Sequence, residues 1–169
     1  MHIHKYEQIW IWGSLLLIVG YIATIVYGGI GAGIGMVNDQ GGTITPPDKP
    51  LQSENFRQPG TYKNDDGTYS TYVLAQQFAF RPGTGAPIKV PAGKPVTFYM
   101  TTSDVIHGFN LVGTNVNVMA IPGQLARFTV QFDKKNTYGL ICHEYCGAGH
   151  HLMEGRVKVV SEDEFSKEE

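Results

Sequence analysis

The chain has 169 residues, a formal net charge of −2 at pH 7 and 17% charged residues, a length that suits one domain with an additional element. A nearly neutral chain lacks the broadly basic surface typical of nucleic-acid-binding proteins. The charged fraction lies below the roughly 25% usual for soluble proteins, and the deficit is concentrated near the N-terminus.

The first predicted element is an apolar helix within residues 1–36. Residues 9–30 carry no charge and supply about the 20 residues that a membrane-spanning helix requires. Trp10, Trp12 and Tyr27 lie near its two ends, as interfacial aromatic residues do. A cleaved signal peptide is the alternative, but its apolar core would be shorter, roughly 7–15 residues, behind a basic front. The sequence therefore predicts a retained single-pass anchor.

Composition changes twice more along the chain. Residues 37–61 are rich in glycine and then proline, which is typical of a linker that stiffens along its length. Residues 161–169 are acidic and are predicted to form a solvated, frayed tail. Between these segments, residues 62–160 are predicted to form the globular domain.

The predicted domain is built of β-strands. Residues 96–102 and 126–132 alternate apolar with polar side chains, which indicates strands with one buried face. Residues 69–80, YSTYVLAQQFAF, are predicted to form one longer strand. Frequent turn signals between the strands favour a mainly β sandwich or small barrel behind the N-terminal helix.

The stretch CHEYCGAGHHLM, residues 142–153, holds both cysteines of the chain, and His150 and Met153 follow them at short spacing. Thiolate, imidazole and thioether form a soft ligand set that selects copper over hard cations. Zinc prefers cysteine and histidine and gains little from methionine. A disulfide between Cys142 and Cys146 is the alternative, but it would close only a tiny loop and leave the rest of the spacing unexplained.

This loop is one histidine short of a copper electron-transfer site, and His107, which follows the strand at 96–102, is predicted to supply it. A distant histidine with a Cys–His–Met loop between two later strands is the ligand layout of the cupredoxin fold. Because there are two cysteines, their thiolates can bridge two copper ions. His107 and His150 can then provide one terminal ligand each, Met153 can serve one copper weakly, and a backbone carbonyl of the loop, that of Glu144, can serve the other. No coordination position stays open, which suits electron transfer rather than substrate chemistry.

CHEYCGAGHHLM resembles the C-x-x-x-C-G-x-x-H-x-x-M signature of subunit II of heme–copper cytochrome c oxidases, which carries the dinuclear copper centre CuA. DVIHGFNLVGTNVNVMAIPGQ, from Asp104, resembles the segment that supplies the first histidine in that family. The resemblance covers roughly residues 70–160. It implies a cupredoxin-like Greek-key fold and these copper ligands: His107, Cys142, Glu144, Cys146, His150 and Met153. One helix followed by such a domain is similar to the B-family oxidases.

The resemblance further implies a respiratory role at the plasma membrane, with the copper domain on the extracytoplasmic side. Electrons would arrive from a c-type cytochrome and pass to heme in subunit I, where O2 is reduced to water and protons are translocated. Glu7 becomes a candidate for proton entry, and the Glu144 carboxylate a candidate for a magnesium site at the subunit I interface. Phe78, Phe80 and Tyr145 are candidates for the surface where the electron donor docks.

Three other classes of protein compete with this interpretation. A membrane-tethered copper-delivery module would favour exposed, exchangeable sites over a two-cysteine loop in a β-scaffold. A nitrous oxide reductase carries a large additional catalytic domain. A quinol-oxidase subunit II has a similar fold but lacks the copper ligands that are intact here.

Overall fold

The computed structural model describes residues 4–28, 52 and 54–167. The chain separates into two compact units, residues 1–36 and residues 37–169. Most of the predicted linker, residues 37–51 and 53, lies outside the described residues.

The N-terminal unit contains helix α1, Lys5–Val26. Its first turn is capped, because Nδ1 of His4 accepts from the Tyr6 amide at 3.4 Å and a Glu7 carboxylate oxygen accepts from the His4 amide at 3.1 Å. No residue of α1 is buried, and its mean hydropathy reaches 2.2. A helix that is apolar on every side and uncovered by protein is typical of a membrane span, so α1 is a membrane-span candidate by length and composition.

The second unit is a sandwich of two mixed five-stranded sheets. The strands are β1 Thr61–Lys63, β2 Tyr69–Gln76, β3 Ala79–Arg81, β4 Ile88–Pro91, β5 Pro95–Thr102, β6 His107–Leu111, β7 Asn117–Ala120, β8 Ala126–Gln131, β9 Asn136–Ile141 and β10 Glu154–Val160. One sheet has the order β1-β2-β5-β8 with β3 also paired to β2, and the other has the order β4-β10-β9-β6-β7. The pairs β2–β5 and β4–β10 are parallel and the other pairs are antiparallel.

The core lies between the two sheets and is rich in aromatic rings. The predicted alternation in β5 holds, since Val96, Phe98 and Met100 are buried. Phe98 stacks on Phe128 of the neighbouring strand β8, with ring centroids 5.0 Å apart. Phe109 of the opposite sheet tilts against both rings at 6.1 and 5.8 Å. This packing joins the sheets, and it confirms the mainly β fold that the sequence predicts.

Two predicted segments differ from the structure. Residues 69–80 do not form one strand, because the chain turns at Gln77 and Phe78 and returns as β3, antiparallel to β2. The acidic tail is not wholly frayed either: helix α3 spans Glu162–Ser166. Phe165 of α3 is buried and packs edge-on against Tyr69 at 5.4 Å. One apolar residue inside an acidic stretch is enough to dock that segment on the core.

A short helix before the sandwich also packs on it. Helix α2, Glu54–Arg57, buries Phe56 against Leu74 on the outer face of β2. Phe56 also meets Tyr72 edge-on at 5.6 Å. The end of the segment predicted as linker therefore covers part of the first sheet.

Candidate metal centre

The predicted site residues lie at the end of the sandwich where β6 and β10 begin and β9 ends. His107 is the first residue of β6, while Cys142 follows β9 and Met153 precedes β10. Strands β6 and β9 are paired neighbours, with Leu111 opposite Leu140, and the Cys142 amide donates to the Met153 carbonyl at 3.1 Å. Strand pairing therefore brings together side chains from distant parts of the sequence.

Two free thiols lie at the centre of this cluster. The Sγ atoms of Cys142 and Cys146 are 3.9 Å apart, far beyond the roughly 2.05 Å of a disulfide bond. Met153 Sδ lies 3.7 Å from the Cys146 sulfur. All three side chains are buried. The structure therefore places three sulfur atoms in contact without a covalent bond among them.

His107 is fully buried and is oriented by Asp104. The ring donates from Nε2 to Asp104 Oδ1 at 2.7 Å, so Nδ1 is left as the lone-pair nitrogen. That atom lies 3.2 Å from Met153 Sδ and 3.9 Å from Cys142 Sγ. Burial acts to raise the pKa of the Asp104 carboxyl, but hydrogen bonds from His107, the Gln77 and Val105 amides and Thr102 outweigh it and hold the pKa below its usual value.

His150 and Glu144 approach the sulfurs from the loop itself. His150 begins a short 3-10 helix, His150–Leu152, and its Nδ1 lies 3.6 Å from Cys146 Sγ. The carbonyl oxygen of Glu144 lies 3.2 Å from Cys142 Sγ. The loop thus places one oxygen beside the Cys142 sulfur and one ring nitrogen beside the Cys146 sulfur. The Glu144 side chain makes a different contact, because its carboxylate lies 3.7 Å from His143 Nε2.

The Cys146 thiol is costly to ionise in the absence of a cation. Burial, followed by the nearby Cys142 thiol, raises the pKa of Cys146 to about 11. A bound cation removes this penalty, because two adjacent thiolates repel each other less when a positive charge lies between them.

The residues present fit a soft metal. His107, Cys142 and Cys146 offer ligand atoms that all lie within 4.8 Å of one another. Two sulfurs that share one metal at about 2.3 Å each must lie within about 4.6 Å of each other, and these two do. The donors are sulfur and imidazole with one backbone carbonyl, a set that selects copper.

The three aromatic residues predicted to contact the electron donor differ in their exposure. Tyr145 is 80% exposed and Phe78 is 36% exposed, so both remain available at the surface beside the site. Phe80 is wrong as a docking residue, because it is completely buried. It points inward from β3 and packs edge-on against Phe109 at 5.8 Å. Phe78, two residues earlier, faces outward because it lies in the turn between β2 and β3, where the strand alternation is interrupted.

Several residues that shape the site are not evident from the ligand spacing. Asp104 lies three residues before His107. This spacing could have indicated its role from the sequence, because an aspartate can orient a ligand histidine. His143 and His151, next to predicted ligands, are expected to point away from them. His151 is exposed. The His143 ring lies directly on Gly108, where a Cβ would come within 2.1 Å of Nδ1.

The fold and the site together define the class of this protein. It contains a cupredoxin-like metal-binding domain, in which a two-sheet β-sandwich brings two cysteines, two histidines and a methionine together at one end. The comparisons with known proteins narrow this class. Residues 71–160 match the family described as cytochrome c oxidase subunit II, periplasmic domain. The chain belongs to the cytochrome c oxidase subunit II family, as a subunit of a heme–copper oxidase.

Individual relatives agree with this assignment. A cytochrome c oxidase subunit 2 of Thermus thermophilus is 33% identical over 156 residues, 91% of each chain. A chain in a cryo-EM structure of a heme–copper terminal oxidase dimer has a TM-score of 0.70 and 35% identity, covering 92% of this chain and 100% of that one. The periplasmic domain of subunit II from Bradyrhizobium japonicum shares the fold, with a TM-score of 0.53 at 23% identity over 58% of this chain and 88% of that one.

Proposed function

We propose that this chain is the electron-entry subunit of its oxidase. Its site accepts single electrons from a c-type cytochrome or a similar small carrier and passes them to heme in subunit I, where O2 is reduced to water and protons are translocated. The observation that carries the proposal is the pair of free, buried thiols 3.9 Å apart. Each of them has an imidazole nitrogen within 3.9 Å.

The donor set supports a dinuclear CuA centre bridged by Cys142 and Cys146. His107 and Met153, whose ligand atoms are 3.2 Å apart, would serve one copper. His150 and the Glu144 carbonyl would serve the other. When bound, copper would supply a one-electron redox couple.

The protein's own residues prepare the site for this task. Asp104 holds the imidazole of His107 so that Nδ1 faces the sulfurs. The burial of both cysteines and Met153 excludes water. Rigid, dry ligands change position little when an electron arrives, which favours rapid transfer over substrate chemistry.

Surface features support a docking role beside the site. Tyr145 and Leu152 are the most exposed apolar side chains of the ligand loop, and Phe78 adds a partly exposed ring. We assign the electron carrier to this apolar surface. Aromatic residues of this kind are enriched where proteins associate.

The N-terminal helix supports placement in the plasma membrane, with the copper domain on the extracytoplasmic side. In the proposed complex α1 packs against subunit I within the membrane. Glu7 lies in the first turn of α1 and is exposed, which suits the proposed part in proton entry. The Glu144 carboxylate, 38% exposed, is the candidate magnesium ligand at the subunit I interface.

Copper loading of the full chain in detergent tests the proposal. We expect two copper ions per chain and an EPR hyperfine pattern from one electron shared by both metals. Cys146→Ser should abolish the shared pattern, because a single thiolate cannot form the double bridge. A single copper with the spectrum of a blue copper protein in the unmodified chain would refute the dinuclear centre.

A further inference from the structure

A hydrogen-bonded connection runs around the outside of the metal site through a residue that is not itself a ligand. The side-chain amide of Gln77 donates to the carbonyl of Cys146. The backbone amide of Gln77 donates to Asp104 Oδ2 at 2.7 Å. The other oxygen of Asp104 accepts from His107 Nε2 at 2.7 Å. Gln77 and Asp104 thus join the ligand on β6 to the second cysteine of the loop.

The turn that carries Gln77 also covers the ligand loop. A Cβ on Gly147 would come within 2.8 Å of Gln77 Nε2, and one on Gly149 would come within 2.6 Å of the Phe78 ring. Gly147 additionally has a φ of +129°, a conformation that favours glycine. The two glycines between Cys146 and His150 therefore leave the space that the turn occupies.

The hydrogen bond from the Gln77 side chain to Cys146 is not part of the packed core. Gln77 is exposed, so its side chain contributes little to the buried core, and its amide reaches inward only to the ligand loop. The Cys142 backbone is already fixed by its bond to Met153 across β9 and β10. Cys146 lies in the ligand loop with no strand on either side, so a bond to its carbonyl adds a backbone restraint that strand pairing does not supply there.

We propose that Gln77 is a positioning residue that holds Cys146 at its distance from Cys142 and couples that cysteine to His107 through Asp104. The bond prepares the ligand geometry before metal is bound, as outer hydrogen bonds do at other metal sites. Its role in the loaded site depends on the proposed dinuclear function, whereas its role in the metal-free chain does not.

The metal-free full chain in detergent gives the first test. With oxidised glutathione as oxidant, each chain loses two protons and two electrons as the Cys142–Cys146 disulfide forms and glutathione is reduced. Gln77→Leu and Gln77→Glu both lack the donor at neutral pH. We expect them to form the disulfide about fivefold faster, the factor that corresponds to the net effect of one hydrogen bond. The rate is followed by alkylation of the remaining thiols and mass spectrometry.

Gln76→Leu is the matched control, because Gln76 is the adjacent glutamine and its amide bonds to Ser103 at 2.9 Å instead of to the ligand loop. We expect its disulfide rate to stay within about twofold of the unmodified chain. Equal rates in the unmodified chain and both Gln77 variants would overturn the proposal. An equal acceleration in Gln76→Leu would also overturn it, because the effect would then belong to the turn as a whole.

The copper-loaded chain gives the second test. Gln77→Leu should shift the reduction potential and alter the EPR hyperfine pattern at unchanged copper content, and Gln76→Leu should change neither. Unchanged potential and spectrum in Gln77→Leu would overturn the positioning role. If the unmodified chain itself lacked a dinuclear spectrum, the proposed function would fail, but the comparison of metal-free rates would still decide the role of Gln77.

Discussion

The carboxylate of Asp104 and the imidazole of His107 form a 2.7 Å hydrogen bond that determines which ring nitrogen faces the sulfurs. The same carboxylate accepts from the backbone amides of Gln77 and Val105 and lies 3.0 Å from the Thr102 hydroxyl. Asp104 is therefore held in place by three neighbours while it holds the histidine.

Asp104→Leu should weaken copper binding about 10- to 100-fold, because a ligand histidine loses orientation and basicity when its outer partner is removed. A competition titration with a copper chelator measures the change. Asp133→Asn, an exposed carboxylate after β8, is the control and should bind copper normally. Unchanged affinity in Asp104→Leu would show that strand β6 alone orients the ring.

Gly149→Ala should destabilise the domain by about 1–3 kcal/mol, because the added methyl group meets the Phe78 ring at 2.6 Å. Denaturant unfolding of the metal-free chain measures the difference. Gly139→Ala adds the same group where its nearest neighbour is 3.7 Å away, and it should change stability by less than about 0.5 kcal/mol. Adding Phe78→Ala to Gly149→Ala should recover part of the loss; strictly additive effects would refute the clash.

The stability of the C-terminal helix should depend on pH. The Tyr69 hydroxyl, followed by Lys94 and Lys63, holds the pKa of Glu162 below its usual value. A carboxyl whose folded pKa is depressed stabilises the fold above its unfolded pKa, about 4.3, and loses this effect as pH falls through the folded pKa. Glu162→Gln should therefore lower Tm at pH 7, and its deficit should disappear in acid.

Thermal unfolding across pH, with and without salt, checks this expectation. The deficit of Glu162→Gln should also shrink at high salt, because the two lysine contacts are exposed. Asp163→Asn is the control. It changes the next carboxylate along α3, which forms no ion pair among the described residues, and its Tm should depend less on pH and salt. A deficit that persisted at low pH would indicate lost packing instead.

Tyr145→Ala should raise the KM of the assembled oxidase for its electron donor and leave kcat unchanged, because an exposed side chain beside the site contributes to docking and not to the ligand set. Steady-state oxidation of a c-type cytochrome provides the measurement. Tyr62→Ala removes another exposed tyrosine, from β1 at the opposite end of β2, and should not affect KM. A lower kcat at unchanged KM would exclude a docking role.

Glu7→Gln should slow proton uptake in the assembled oxidase. Glutamine keeps an oxygen that can accept from the His4 amide, so the first turn of α1 remains capped while the ionisable group is removed. Proton uptake during a single turnover, followed with a pH indicator, tests the change. Normal uptake in Glu7→Gln would assign Glu7 to helix capping alone.

The ligand cluster could be predicted because its spacing is local. Cys142, Cys146, His150 and Met153 lie within twelve residues of sequence, and soft donors at such short spacing are typical of a loop that folds around a metal. His107 followed from the fold that this loop implied. The structure brings all of these predicted residues, with the Glu144 carbonyl, to one end of the sandwich.

The supporting contacts could not be predicted in the same way. Aromatic and β-branched residues continue from β2 into β3, so composition predicted one strand, and nothing in the sequence separated buried Phe80 from exposed Phe78. The turn at Gln77 and Phe78 is favoured by its contacts with Gly147 and Gly149, which are about 70 residues away in the chain. Such tertiary contacts override local β-propensity. The same reason explains why the single Phe165 converts a polar tail into a docked helix.

The pairing of β6 with β9 also sets an order of events during synthesis. His107 opens one strand and Cys142 follows the other, so their meeting requires contacts across 35 residues of chain. Contacts of such long range form late, after the local hairpins. A ribosome-bound chain that ends before Met153 therefore cannot present the full set of donors, and the set is complete only when β10 pairs with β9. The complete donor set is thus a property of the finished sandwich and not of the ligand loop alone.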